Sequence, residues 1–337
     1  MKASYNSNIQ ALRAIAALMV FLSHSLMMIK SDTINSIYET PFHLFFDGQI
    51  AVVFFMVLSG FFYYKIERLT IKKFFGHVKK KVLRIYPIHI IMIIIGVFLC
   101  NLQLKYCSEL FSDWSNSFWT YPIGWKETLR QFVIIIPGTD SYLVNSPVWY
   151  LVVEVRMFIV MPLIAGTLFY IKEKYKELPF YLIWFVFCLA ALILYPFALS
   201  YLIGYLAAHL FRTNELLRDN NSVFLLIGGG ISALLMLNIR NELLINVNGL
   251  SLFVQSIGAS ILILISFISV TPVNRFLSWL GNYSYEFYLA HFVVLLFCKT
   301  LVNNVILWWF LSLFLTALLT YILHEIQKCC NNLVYHD

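Results

Sequence analysis

Ten apolar stretches follow one another almost without pause along this chain, at 9–29, 45–64, 82–102, 147–170, 180–196, 198–211, 222–238, 249–270, 277–298 and 302–326. Most come close to the roughly 20 residues a helix needs to cross a bilayer core. So continuous a pattern leaves no room for a substantial soluble domain. It predicts an all-α integral membrane protein of about ten transmembrane helices, with 1–337 forming a single polytopic domain. The composition agrees: 61% of the residues are hydrophobic and 12% charged, where a soluble domain is about half apolar and a quarter charged. The fifth and sixth stretches are divided on length. One helix over 180–211 would measure about 48 Å against a core of about 30 Å, so a turn is expected at Tyr195-Pro196.

Charge sets the expected orientation. Lys65, Arg68, Lys72, Lys73, Lys79, Lys80, Lys81 and Arg84 crowd the segment between the second and third stretches, and Lys172, Lys174 and Lys176 the one after the fourth. The alternate connections are poorer in Lys and Arg, which puts the two basic segments and both termini in the cytoplasm. The net charge of +7 is then a topology signal, with no nucleic-acid partner implied. The first stretch is longer than a signal-peptide core and no small-residue cleavage site follows it, so it reads as a retained helix. Of the six cysteines only Cys107 falls clearly outside, so no disulfide framework is expected. Cys329-Cys330 reads as incidental thiols rather than an acylation site. No metal-ligand spacing, P-loop, dinucleotide fingerprint or internal repeat is present.

Within the apolar stretches a few ionisable residues stand out. Arg13 and His24, in "ALRAIAALMVFLSH", are eleven residues apart, hence on one helical stripe roughly 16 Å apart along the axis. Arg13 is near enough to the cytoplasmic edge to snorkel; His24 is deeper. Glu154, in the fourth stretch, falls roughly 10 Å below the outer edge, and His291, in the ninth, about 12 Å below it. His24, Glu154 and His291 are therefore expected at similar depth. Ionisable groups inside a membrane mark pathways or chemistry. Proton coupling in a transporter or exporter of a glycan or lipid-linked precursor, and acid–base chemistry on a substrate, both fit these residues.

Five motifs, in order, resemble membrane acyltransferase family 3, the integral-membrane proteins that acylate cell-surface glycans. They are the Arg13-to-His24 pattern, "VVFFMVLSGFFYY" (52–64), "KKKVLRIYP" (79–87), "SPVWYLVVE" (146–154) and "LGNYSYEFYLAH" (280–291). The chain departs from the family pattern at Lys81, where an arginine is usual and the bidentate guanidinium fork is lost, and at His89, where an aromatic is common.

The resemblance implies an O-acyltransferase that carries an acetyl or related acyl group from cytoplasmic acyl-CoA to a hydroxyl of a surface glycan or lipid-linked oligosaccharide. The setting would be the bacterial cytoplasmic membrane. Acetyl-CoA would be a co-substrate, with no tightly bound cofactor and no metal. His24 and Glu154 would be catalytic, His24 as general base on the acceptor hydroxyl and Glu154 orienting its imidazole; an acyl-histidine route stays open. Arg13, Lys81, Arg84 and Ser59 would serve the donor, whose phosphates suit the basic cluster. Gly60, beside Ser59, fits close approach of a ligand and tight helix packing equally well. His291, Trp149 and Tyr285 would bind the acceptor or support the site. On the acceptor side, Trp114, Trp119, Tyr121 and Trp125 suit sugar rings but also an interfacial aromatic belt, and Asp113, Asp140 and Asn145 offer hydrogen bonds.

Overall fold

The computed structural model describes residues 6–30, 40–105, 108–134, 143–175, 177–214, 223–238, 248–268 and 274–335. Among these the regular structure is helical, apart from one isolated bridge between Ile29 and Phe111. In chain order the helices are α1 (Ser7–Met28), α2 (Gly48–Tyr63), α3 (Ile71–Asn101), α4 (Asp113–Asn116), α5 (Trp125–Phe132), α6 (Val148–Tyr175), α7 (Glu177–Leu194), α8 (Ala198–Thr213), α9 (Val223–Leu237), α10 (Asn248–Ile268), α11 (Arg275–Leu280), α12 (Ser284–Cys298) and α13 (Val305–Tyr335). Each predicted stretch thus carries a helix, the ninth being broken by a 3-10 turn at Gly281–Tyr283. Six described helices (α1, α3, α6, α7, α10 and α13) are long and apolar enough to cross a membrane. The expected basic loop holds only Lys65 and Arg68; from Ile71 the segment forms the first three turns of α3, with Lys72, Lys73, Lys79 and Lys80 exposed along them. Lysines alternating with Phe, Val and Leu give a helix one apolar stripe and one solvated face.

The chain packs as two compact units. Unit 1 comprises residues 1–16, 49–75 and 157–281, and unit 2 comprises 17–48, 76–156 and 282–337. In unit 1, Asn6 caps α1, its side-chain oxygen accepting from the backbone N–H of Asn8 and Ile9 at 3.0 and 3.2 Å. The backbones of α2 and α8 meet at a double glycine seam. A Cβ on Gly60 would fall inside the backbone of Tyr201, and one on Gly204 inside the backbone of Val57. Of the two roles open to Gly60, close helix packing is the one realised here. Ser59 sits half-buried beside the seam. Arg13, on the first turns of α1, donates from Nη1 to Gln10 Oε1 at 3.1 Å.

Unit 2 holds the second half of α1, most of α3, the start of α6, α12 and α13. Its core at the Met28 end of α1, the upper end below, is aromatic: Phe21, Phe111, Phe118, Phe292 and Trp308 are buried together. Residues 108–134 are fastened over this end. The backbone N–H of Ser112 donates to Met28 O at 2.8 Å, its hydroxyl donates to Met27 O at 2.6 Å, and Ser115 Oγ donates to Met28 O at 3.3 Å. These bonds satisfy carbonyls that the end of α1 would otherwise leave without partners. From the other side Lys299, 2% exposed, donates to Ser115 O at 2.9 Å and Asn116 Oδ1 at 3.1 Å, with its ammonium over the Phe111 ring. Burial holds this lysine down to about 7.

The same segment then descends. Asn101, at the end of α3, exchanges two hydrogen bonds with the backbone of Ile123. Eight residues later Gln131 O accepts from His89 Nε2 at 2.9 Å, and His89 lies twelve residues, roughly 18 Å, below Asn101 on α3. Residues 145–147 lie at depth. Asn145 Nδ2 donates to Leu289 O at 2.9 Å and Tyr288 OH donates to Pro147 O at 2.6 Å. Helix α6 therefore starts roughly 14 Å below the Cys298 end of α12.

Candidate functional site

Two helices of unit 2 bring His24 and His291 together. His291 is fully buried on α12 and His24 part-exposed on α1, with 3.0 Å between His291 Nε2 and His24 Nδ1. The other contacts of the pair fix where the protons lie. The Tyr288 carbonyl can only accept, so the 2.6 Å contact to it is donated by His291 Nδ1–H. A neutral His291 then has its lone pair on Nε2. The proton in the 3.0 Å contact must come from His24 Nδ1, which shares it with Val20 O at 3.1 Å. This assignment, read from the bonding network, leaves the lone pair of His24 on Nε2. A proton taken up there would disturb none of the existing bonds.

Aromatic rings frame the pair. The Trp114 indole lies parallel to the His24 ring, 11° apart with centroids at 6.2 Å, and Phe292 meets His24 edge-on at 5.4 Å. Trp114 and Phe118 both pack on Phe292. A site so walled strengthens hydrogen bonds to any charge that develops inside it.

A second polar group lies lower in unit 2. Lys81 Nζ donates to Glu154 Oε1 at 2.9 Å, with side-chain exposures of 21% and 9%. Near it Tyr285 OH donates to Ile85 O at 2.6 Å, and the charges of Arg84, Glu286 and Glu154 all act on Tyr285. Arg84 is itself exposed. Glu286 Oε1 is 3.0 Å from His324 Nδ1.

The residues expected at the site therefore sort into two tiers. His24 and His291 meet, a contact that their similar depth allowed but did not require. The expectation that Glu154 shares their level is corrected: it lies seven residues, roughly 10 Å, past Pro147 toward the lower end, while His291 is one turn above Tyr288. The depth was counted from an outer edge at Pro147, but Pro147 itself lies well inside, against Tyr288 of α12. The contact to the imidazole foreseen for Glu154 is made by His291, and the carboxylate is engaged by Lys81. Trp149 is half-buried in the first turn of α6. Arg13 and Ser59 belong to unit 1, and Lys81 and Arg84 to unit 2. Asn145 is spent on the backbone of Leu289; Cys107, Asp140 and Lys176 fall outside the described residues.

Two features were not anticipated from sequence. Lys299 is a buried fastener of residues 115–116, and Trp119 takes a φ of 57°, a left-handed conformation that bulky residues avoid. Neither carries a local signal, since a lone lysine after an apolar stretch reads as a helix-end anchor. A family model described as an acyltransferase domain matches residues 6–325. Neither a curated protein nor a solved structure matches the chain.

Proposed function

The chain belongs to acyltransferase family 3 and is a multi-pass membrane acyltransferase, and from that premise we propose that it moves an acetyl or related acyl group from acyl-CoA to a hydroxyl of a cell-surface glycan in the bacterial cytoplasmic membrane. The observation that carries this reading is the His24–His291 hydrogen bond, which leaves His24 Nε2 as a base. His24 Nε2 accepts the proton of the acceptor hydroxyl as its oxygen attacks the thioester carbonyl carbon. The tetrahedral intermediate then collapses with cleavage of the C–S bond. The departing thiolate takes the proton back from His24, which regenerates the base and yields CoA and the ester.

His291 is the positioning residue. As a neutral acceptor it orients His24 and stabilises its cation, the task an aspartate performs in hydrolase triads. A neutral ring also avoids the cost of a second buried charge. Donor phosphates are assigned to the exposed Lys79, Lys80 and Arg84 on α3, because Lys81 is already bound to Glu154.

The test is the ester content of the surface glycan, by proton NMR, in a deletion strain complemented with wild type or His24→Ala at matched membrane levels. Ester signals should return with wild type and not with the variant. Equal restoration by both would remove His24 as the base. A deletion that leaves the ester content intact would sink glycan acylation itself.

A further inference from the structure

Helix α13 carries a polar file through an otherwise apolar span. Ser312, Thr316, Thr320 and His324 recur every fourth residue along it. Each lies about 6 Å below the one before, and all four fall close to one stripe. That stripe faces α12. Ser312 neighbours the Cys298 thiol, and His324 Nδ1 is 3.0 Å from Glu286 Oε1. Twelve residues separate these two contacts on either helix, so Thr316 and Thr320 between them face Val294 and Ala290. Neither of those side chains carries a polar atom.

A helical Ser or Thr commonly donates back to the carbonyl one turn earlier. Thr167, Thr213, Ser256 and Ser266 do so here, at 2.9, 2.9, 2.6 and 2.8 Å. Thr316 and Thr320 do not. Their hydroxyls have no hydrogen-bond partner among the described residues, and neither has Glu286 Oε2, although the three residues are 0%, 4% and 4% exposed. A buried polar group left so is costly, and internal water is what ordinarily meets it. The spacing suits water. Two O–H···O bonds of about 2.8 Å each bridge the roughly 6 Å between successive residues, with one water at the midpoint. Hydroxyl and water alike can both donate and accept.

We infer that a single file of water runs along the α12–α13 seam and passes protons between the exposed lower end of unit 2 and the Cys298 thiol. The file opens at part-exposed His324, with half-exposed Glu325 and Lys328 just below it. Glu286 Oε2 accepts from the lowest water. A proton that enters at one end displaces another at the far end, so every oxygen keeps its charge. On sulfur, the proton that arrives replaces the one that leaves. Neither His24 nor His291 belongs to the file, and it stands without the acyl-transfer reading.

The test is hydrogen–deuterium exchange at sulfur, read by infrared spectroscopy on the full-length protein in lipid nanodiscs. The S–H band of Cys298, identified by its loss in Cys298→Ala, should give way to an S–D band after transfer to heavy water. Thr316→Val and Thr320→Val keep the side-chain shape but interrupt the file, and each should slow that conversion at least fivefold. Thr167→Val removes a hydroxyl bonded to Leu163 O in unit 1 and should leave the rate unchanged. A seam loosened by misfolding would speed exchange, so slowing cannot come from a poorly folded variant. Equal rates in wild type and both seam variants would overturn the proposal, as would an S–H band that never converts in the folded wild type.

Discussion

Lys81 and Glu154 form an ion pair at 2.9 Å across α3 and α6, with the carboxylate side chain only 9% exposed. A pair this enclosed is weak evidence of net stabilisation, but breaking it leaves a stranded charge, at a cost of about 3–5 kcal/mol. Glu154→Ala and Lys81→Met should each lower the unfolding midpoint in detergent. The double variant should lose clearly less than the sum of the two, and strict additivity would show that the charges do not interact.

His24→Ala should lower the transfer rate by about 10²–10⁴-fold, the usual contribution of a positioned general base. His291→Gln keeps an acceptor for His24 Nδ1–H and should lose less than His291→Phe. For both His291 variants the loss should fall in kcat, with KM for acyl-CoA unchanged. A raised donor KM would reassign His291 to binding.

The glycine seam of unit 1 makes a prediction about stability alone. Gly60→Ala or Gly204→Ala drives a methyl into the facing backbone, and overpacking of this kind costs roughly 1–3 kcal/mol. Thermal unfolding of the purified variants measures it. A neutral result at either position would mean that α2 and α8 can separate freely.

Lys299 should make stability depend on pH. Its folded value, about 7, lies below the ordinary 10.5, so between these limits the unfolded chain binds more protons than the folded one. The contribution to stability is then least favourable below about pH 7, rises as pH increases, and levels off above 10.5. Wild type minus Lys299→Met, followed by unfolding midpoints from pH 6 to 10, should show this rise. Lys299→Met should also be less stable at every pH at which its oxygen partners lose their donor, by about 1–3 kcal/mol for each buried acceptor left unmade.

Helix positions were largely legible in the sequence, since apolar length is a local property and every predicted stretch carries a helix. The similar depth of His24 and His291 was legible too, because each lies at a countable distance from the end of its own helix. Their hydrogen bond was not, since Glu154 was the expected partner of the imidazole. Glu154 was misplaced by the same counting. Its helix starts at Pro147, against Tyr288 of α12, 141 residues away, a contact which no local pattern announces. The basic segment showed its charge but not its helical form. Trp119 gave no sign of its backbone conformation, which is imposed by neighbours distant in sequence.

The fastening of residues 108–134 bears on how the molecule is made. Ser115 waits 184 residues for Lys299, the side chain that secures it from the far side, and His24 waits 267 for His291. During synthesis neither the histidine pair nor the lysine fastening can form until His291 and Lys299 have emerged. A nascent or truncated chain would carry the basic residues of α3 without the imidazole pair.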